Sequence, residues 1–286
     1  MTKAGAGTRA GLLVALLALV AGACGGGGGT EAALRVSGST TVNPVAADAA
    51  VALRAQGMAV TVDTQGGSAG GLAQLLAGQI DIAMSSKPLT GAEAAQGLVP
   101  TIIGRDALAI VVRREVSDGG VRSLTRDQAR SLFEGRVRNW RELGGPDLAV
   151  FVYDKEPGRG TREVLDAYLY GSGRRPPPPP SDNFAIVGGN EESRAKVLST
   201  PGSVTPLSLS FIAGQPRLAA VAVDGVAPAE AALRDGSYPL ARPLFLVTRG
   251  APAGPAARFI DYVLSDAGQE LVRRHGFLGR RELGLA

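Results

Sequence analysis

The chain has 286 residues, 45% of them hydrophobic and 20% charged, with a formal net charge of +4, one cysteine and one histidine. That apolar share is enough for the core of one large or two modest domains, and a single cysteine excludes an intramolecular disulfide. A mildly basic balance with 5% aromatic residues argues against a nucleic-acid binder and is compatible with a small anionic ligand.

Residues 1–24 read as a secretion address. Lys3 and Arg9 form a positive start, residues 12–20 are an apolar run too short to span a bilayer, and no acidic residue precedes Glu31. Ala21-Gly22-Ala23-Cys24 sets small residues before a cysteine and resembles the lipobox of bacterial lipoproteins, with Ala21 where leucine is usual. That resemblance implies acylation of Cys24 and a membrane anchor. Residues 25–29 are five glycines; such a coil spans about 12 Å r.m.s., enough for a tether over residues 25–30. No later hydrophobic segment is long enough to cross a bilayer.

The folded body starts near Glu31. Residues 34–36 read as a short strand running into Gly38-Ser39-Thr40-Thr41-Val42, and Asn43 followed by Pro44 predicts a helix N-cap and first helical position. That helix is Ala-rich and extends to about Arg54. Residues 59–64 alternate as a strand into Gly66-Gly67-Ser68-Ala69-Gly70-Gly71, followed by a helix over 72–77 closed by Gly78. Residues 80–84 predict a third strand, ending in Ser85-Ser86-Lys87-Pro88. Three strands therefore end in small hydroxyl-bearing residues, and ligands of open α/β sheets collect at such carboxyl ends. Those hydroxyls could equally satisfy local backbone donors.

Residues 107–113 form a continuous apolar strand suited to burial on both faces. A helix is expected through Phe133, capped by Ser123 or Thr125, and Trp140 reads as a packing residue. The strand at 148–153 and the helix at 161–170 flank Glu156-Pro157-Gly158-Arg159-Gly160-Thr161-Arg162-Glu163. Two glycines around one basic residue allow a sharp bend and close backbone approach. The free N–H groups and dipole of the following helix favour an anion, and Arg159 and Arg162 carry forks suited to oxyanions. A plain Gly-rich corner with Thr161 as N-cap is the bland alternative. Residues 176–180 are five prolines, an extended surface excursion after Arg174 and Arg175. Helices near 191–198, 256–264 and 267–275 and a strand at 244–247 complete the body, with His275 at a basic helix end. Alternation of strands and helices argues α/β with largely parallel strands.

The Gly-Ser-Thr-Thr turn, the Gly-Gly-Ser-Ala-Gly-Gly turn, Asp81 to Ser86 and Gly158-Arg159-Gly160-Thr161-Arg162 together resemble, in order and spacing, the periplasmic phosphate-binding proteins. These are the PstS-type substrate-binding components of phosphate ABC transporters. Asn139-Trp140-Arg141-Glu142-Leu143-Gly144-Gly145, Thr200 to Val204, Asp224 to Pro228, Tyr238 to Pro243 and Phe259 to Phe277 extend the resemblance over the body. It implies a two-lobe α/β periplasmic binding protein fold, type II-like, with the ligand cleft between lobes joined by crossing strands. Lobe 1 would comprise 31–110 and 241–286, and lobe 2 would comprise 111–240. Phosphate would be bound by Ser39, Thr40, Thr41, Ser68, Ser86, Lys155, Arg159, Gly160, Thr161 and Arg162, with no catalytic residue, metal or cofactor. Further implied are a monomer in the cell envelope, anchored through Cys24, and delivery of phosphate to the permease subunits of an importer.

Three positions depart from the family pattern. Arg159 stands where a serine is usual between the glycines, Lys155 stands for an arginine four residues earlier, and Ser86 stands where one branch has an aspartate. A carboxylate there would accept the proton of hydrogen phosphate and repel sulfate, whereas a hydroxyl can donate or accept. Asp154, Glu156 or Glu163 could supply an acceptor instead. A receptor for another tetrahedral oxyanion, or a phosphate sensor without a transporter, are alternatives. An envelope phosphatase would need an activated nucleophile or a metal. With one histidine near the C-terminus, no Gly-x-Ser-x-Gly stretch read as a nucleophile elbow and no metal-ligand cluster, hydrolysis is disfavoured.

Overall fold

The computed structural model describes residues 33–171, 175–177 and 181–285. The leader, Cys24, the glycine tether, Arg174 and Pro178 to Pro180 lie outside the described residues; Pro176 and Pro177 are exposed.

In chain order the first elements are β1 (Leu34–Gly38), α1 (Asn43–Ala55), β2 (Val60–Val62), α2 (Gly67–Leu76), β3 (Ile82–Ser85) and α3 (Gly91–Ala94). The long β4 (Leu98–Arg113) leads to α4 (Arg114–Asp118), β5 (Ser123–Leu124), α5 (Arg126–Phe133), β6 (Phe151–Lys155), α6 (Gly160–Tyr170) and β7 (Phe184–Val187). Then follow α7 (Asn190–Ser199), β8 (Ser203–Ser208), β9 (Leu218–Val223), α8 (Glu230–Arg234), β10 (Ala241–Arg249), α9 (Gly254–Leu264) and α10 (Asp266–Arg274).

The strands run in the order β2-β1-β3-β10-β4-β8-β6-β7, with β9 on β4 and β5 on β9. Parallel pairing is found at the two ends, where β1 pairs β2 and β3, and β6 pairs β7 and β8, and in the side pair of β5 with β9. Through the middle, β10 is antiparallel to β3 and β4, and β4 is antiparallel to β8 and β9. The expectation of largely parallel strands is therefore corrected to a mixed sheet. The chain crosses between lobes in β4 and comes back in β10, and two strands that carry it in opposite directions pair antiparallel.

Alternation along β4 explains its burial on both faces. Leu108, Ile110 and Val112 face a core with Phe133, Trp140, Leu165, Leu169 and Val221. Ala109 and Val111 face the opposite layer with Tyr153, Val197 and Leu207. In the first lobe, Val36, Ile82 and Met84 pack beneath α1, α9 and α10 through Leu53, Phe259 and Val272, while Leu72 and Leu75 of α2 cover Ala83 and Val247 on the other face. Two lobes thus each have layers of their own on both faces of the sheet, and β4 and β10 are common to them.

Trp140 is fully buried and donates Nε1–H to the Gly202 carbonyl (2.8 Å), in keeping with its reading as packing. Thr125 caps α5 through a reciprocal box with Gln128. His275 closes α10 and reaches Asp48 (2.9 Å).

Candidate anion site between the lobes

Several strand ends deliver helix N-termini to one small cavity. It is lined by Ser39, Thr40, Thr41, Gly67, Ser68, Ser86, Lys155, Arg159, Gly160, Thr161, Gly188 and Asn190. The cavity is small, with a volume of about 10 Å3, the scale of a single small occupant.

β1 ends at Gly38, whose φ is +130°; a Cβ there would sit 2.5 Å from the Met84 carbonyl oxygen. That close approach turns the chain at Ser39, which bonds back to Met84 O (2.9 Å), while its hydroxyl accepts from Thr41 N–H (3.2 Å). The predicted Asn43 cap is wrong by one residue. Asn43 is the first helical residue, Val42 occupies the cap position in helical conformation, and neither supplies a side-chain cap. α2 starts at Gly67 and not at Leu72, because Gly66 and Gly67 adopt left-handed conformations that fold the glycine turn into the helix.

From the other lobe, β6 runs on through Lys155, and α6 starts at Gly160, with Arg159 and not Thr161 at the cap position. A Cβ on Gly160 would lie 2.6 Å from Ser68 Oγ and 2.7 Å from Ser86 Oγ, so glycine lets this helix start approach the opposite lobe. The backbone closes the same gap where Ala69 N–H donates to Gly158 O (3.0 Å). α7 begins after Gly189, and Asn190 donates Nδ2–H to Thr41 Oγ1 (2.9 Å). Among the described residues, α1, α2, α6 and α7 all start at the cavity and none has a side-chain cap hydrogen bond. The first N–H groups of α2, α6 and α7 and the helix dipole ends favour an anion, whereas at α1 the Asn43 N–H already donates to Ser39 O (3.0 Å) and Pro44 carries none.

Lys155 is buried, and its ammonium donates to the Gly189 carbonyl (3.0 Å), the Gly188 carbonyl (3.4 Å) and Ser193 Oγ. Burial, then repulsion from Arg242 and Arg159, lowers its pKa to about 7. Arg159 lines the cavity with part of its fork held by Glu156 (2.7 Å). No carboxylate appears among the described lining residues.

Of the residues expected to bind, Arg162 is not brought in. It pairs with Asp154 (3.0 Å) and Asp166 (3.0 Å) and donates to the Lys155 carbonyl (2.8 Å). Two residues past the helix start, its side chain lies on the flank of α6 that faces β6 and away from the cavity. Asp154 is also held by Arg175, Glu156 by Arg159, and Glu163 by Lys87 across the lobes (3.0 Å), so none of these carboxylates lines the cavity. Lys87 also binds Glu93 (2.9 Å); burial opposes its charge, yet these acidic partners hold its pKa above the ordinary value.

Residues 66–70 do spell Gly-x-Ser-x-Gly, at a strand-to-helix turn. The surroundings do not make Ser68 a nucleophile. Its oxygen accepts from Ser86 N–H (3.2 Å) and lies 3.5 Å from Ser86 Oγ, the histidine pairs with Asp48, and Lys155 bonds to carbonyls and Ser193.

Sequence reasoning missed Gly67, Gly188 and Asn190 as lining residues, and behind them a buried pair. Arg242 on β10 and Asp106 on β4 stand opposite in register and are joined at 2.7 Å and 2.9 Å. The available signal was charge inside otherwise apolar strands, Asp106 beside Arg105 in β4 and Arg242 in β10, since unpaired charges are almost never fully buried.

Among known proteins, the chain is similar to the phosphate-binding protein PstS of Bacillus subtilis, at 26% identity over 93% of this chain and 92% of that one. The PstS of Borreliella burgdorferi is 26% identical over 87% and 90%. A crystal structure from Clostridium perfringens with bound phosphate, described as a phosphate ABC transporter substrate-binding protein, superposes with a TM-score of 0.76 at 26% identity, covering 86% of this chain and 99% of that one. A phosphate transport receptor from Vibrio cholerae gives a TM-score of 0.70 at 26% identity, covering 86% and 99%. The domain model of the PBP superfamily matches residues 25–267, and the chain belongs to that superfamily.

Proposed function

We propose that this protein captures inorganic phosphate in the cell envelope and delivers it to the permease of an ABC-type importer. The observation that carries the reading is the cavity itself: uncapped starts of α2, α6 and α7 and the hydroxyls before α1, together with Lys155 and Arg159, around one small polar space. The names of the PstS relatives and the phosphate bound in the C. perfringens neighbour support the choice of ligand. It is a receptor and not an enzyme; Ser68 has no base and the superfamily binds its ligands.

In this reading the anion is held by Ser39, Thr40, Thr41, Ser68, Ser86, Lys155, Arg159, Gly160 and Thr161. Lobe 1 comprises 31–110 and 241–286, lobe 2 comprises 111–240, and closure is a hinge motion about β4 and the entry to β10. Residues 1–24 direct export, acylated Cys24 anchors a monomer to the membrane, and residues 25–30 tether it. No helix among the described residues is long and apolar enough to cross a membrane. A broader receptor for tetrahedral oxyanions is the second reading, favoured by the lack of a carboxylate among the described lining residues.

Calorimetric titration of the full chain with phosphate, then sulfate, tests both. Saturable phosphate binding is expected. Equal affinity for sulfate would select the broader reading, and no heat from either anion would refute both.

A further inference from the structure

Arg242 lies outside the cavity lining, yet its guanidinium is the point where both lobes meet behind it. It is buried and held on one side by the equally buried Asp106, which also accepts from Ser208 Oγ (2.7 Å). On the other side, Nη1 donates to Thr161 Oγ1 (2.8 Å) at the start of α6, and Nη2 donates to Thr41 Oγ1 (3.1 Å) just before α1. Thr41 and Thr161 both line the cavity.

A hydroxyl has one proton to donate and two lone pairs to accept with. The Thr41 oxygen accepts from Arg242 and from Asn190 Nδ2 (2.9 Å), so both its lone pairs are taken. What remains is its O–H, which can only donate. The Thr161 oxygen likewise accepts from Arg242, and the neighbouring positive charge disfavours turning its proton back.

We infer that Arg242 is a positioning residue that makes Thr41 and Thr161 donors to the bound anion, coupling one hydroxyl from each lobe to a single guanidinium fixed by Asp106. The inference rests on the anion-receptor reading. It goes beyond it by placing a determinant of binding where no contact with the ligand exists. A lysine cannot replace the fork, because one ammonium lacks the planar geometry that serves two threonines and a carboxylate together.

A double-mutant cycle on the full chain, read by phosphate calorimetry, tests this. Arg242→Lys keeps the charge and a partner for Asp106, and is expected to weaken phosphate binding about 30-fold, the scale of a hydrogen bond to a charged group. In a Thr161→Val background the same change should cost at least about 5-fold less, since one of the two hydroxyls it acts through is gone. Losses that multiply in full, or an Arg242→Lys variant that binds as tightly as wild type, would overturn the inference while leaving the receptor reading intact. If the wild type binds no phosphate, both fail. Should Arg242→Lys not fold, the Asp106→Asn/Arg242→Gln pair leaves no buried charge unpaired and enters the same cycle with the same criterion.

Discussion

The first lobe brings Ser39, Thr40, Thr41, Ser68 and Ser86 to the cavity, hydroxyls on short side chains with no formal charge, whereas the second brings both lining cations, Lys155 and Arg159, beside the Thr161 hydroxyl and Asn190. Uncapped helix starts stand on both sides, α1 and α2 facing α6 and α7. Away from the cavity, Thr90 on α3, Thr125 on α5 and Ser265 on α10 accept from backbone N–H groups, while α4, α8 and α9 have no side-chain cap. Caps at the cavity would consume the donors an anion needs. The difference between the faces divides the work. On the proposed receptor reading, charge from the second lobe would set how strongly an anion is held, and the hydroxyl-rich first lobe would set which anion is held.

Removing the charge should have the largest effect. Lys155→Met replaces a buried ammonium by a side chain of similar length and leaves no carboxylate newly unpaired, so the fold is expected to persist. Phosphate affinity should drop at least about 100-fold, the cost of a lost charge-assisted contact in a dry site. Proton linkage sharpens the point. With its pKa lowered to about 7, Lys155 is largely neutral at pH 8 in the free protein, and a bound anion raises that pKa again. Binding then takes up a proton above neutrality, and affinity falls as pH rises. Heats measured in buffers of different ionisation enthalpy should show this uptake, and Lys155→Arg, charged throughout, should reduce it. Identical uptake in both proteins would mean that Lys155 does not titrate with binding.

Changing the hydroxyl face should move selectivity more than strength. Ser86→Asp puts a carboxylate where it can accept a proton from hydrogen phosphate and repel sulfate. The sulfate-to-phosphate affinity ratio should fall about 10-fold or more, a like-charge penalty of modest size. A ratio that stays put would remove Ser86 from contact with the anion.

Much of this site is legible in the sequence because its parts are local. Ser39 to Thr41, Ser68 and Ser86 follow strands, and Gly160 and Thr161 open a helix, so each can be read within a few residues of a turn signal. Arg162 shows the limit of that locality. It is adjacent in sequence to the anion turn, but helical rotation carries it to Asp154 and Asp166. Asn43 misleads similarly, since Asn before Pro looks like a cap yet the helix has already begun. Arg242 and Asn190 were not legible at all as site residues. Arg242 meets Thr41 across 201 positions and Thr161 across 81, and Asn190 meets Thr41 across 149, distances over which no periodicity operates. In the fold, the apolar run at 107–113 marks only the second half of β4. Its first half carries Arg105 and Asp106, which conceal the strand until their partners in β10 and α8 are known.

The most direct measurement is a crystal structure of the full chain with phosphate. One tetrahedral anion should lie within hydrogen-bond reach of Thr41 and Ser68 on one side and of Thr161 and the Lys155 ammonium on the other. An anion bound to one lobe alone, or outside this cavity, would contradict the division of charge and hydroxyl between the two faces.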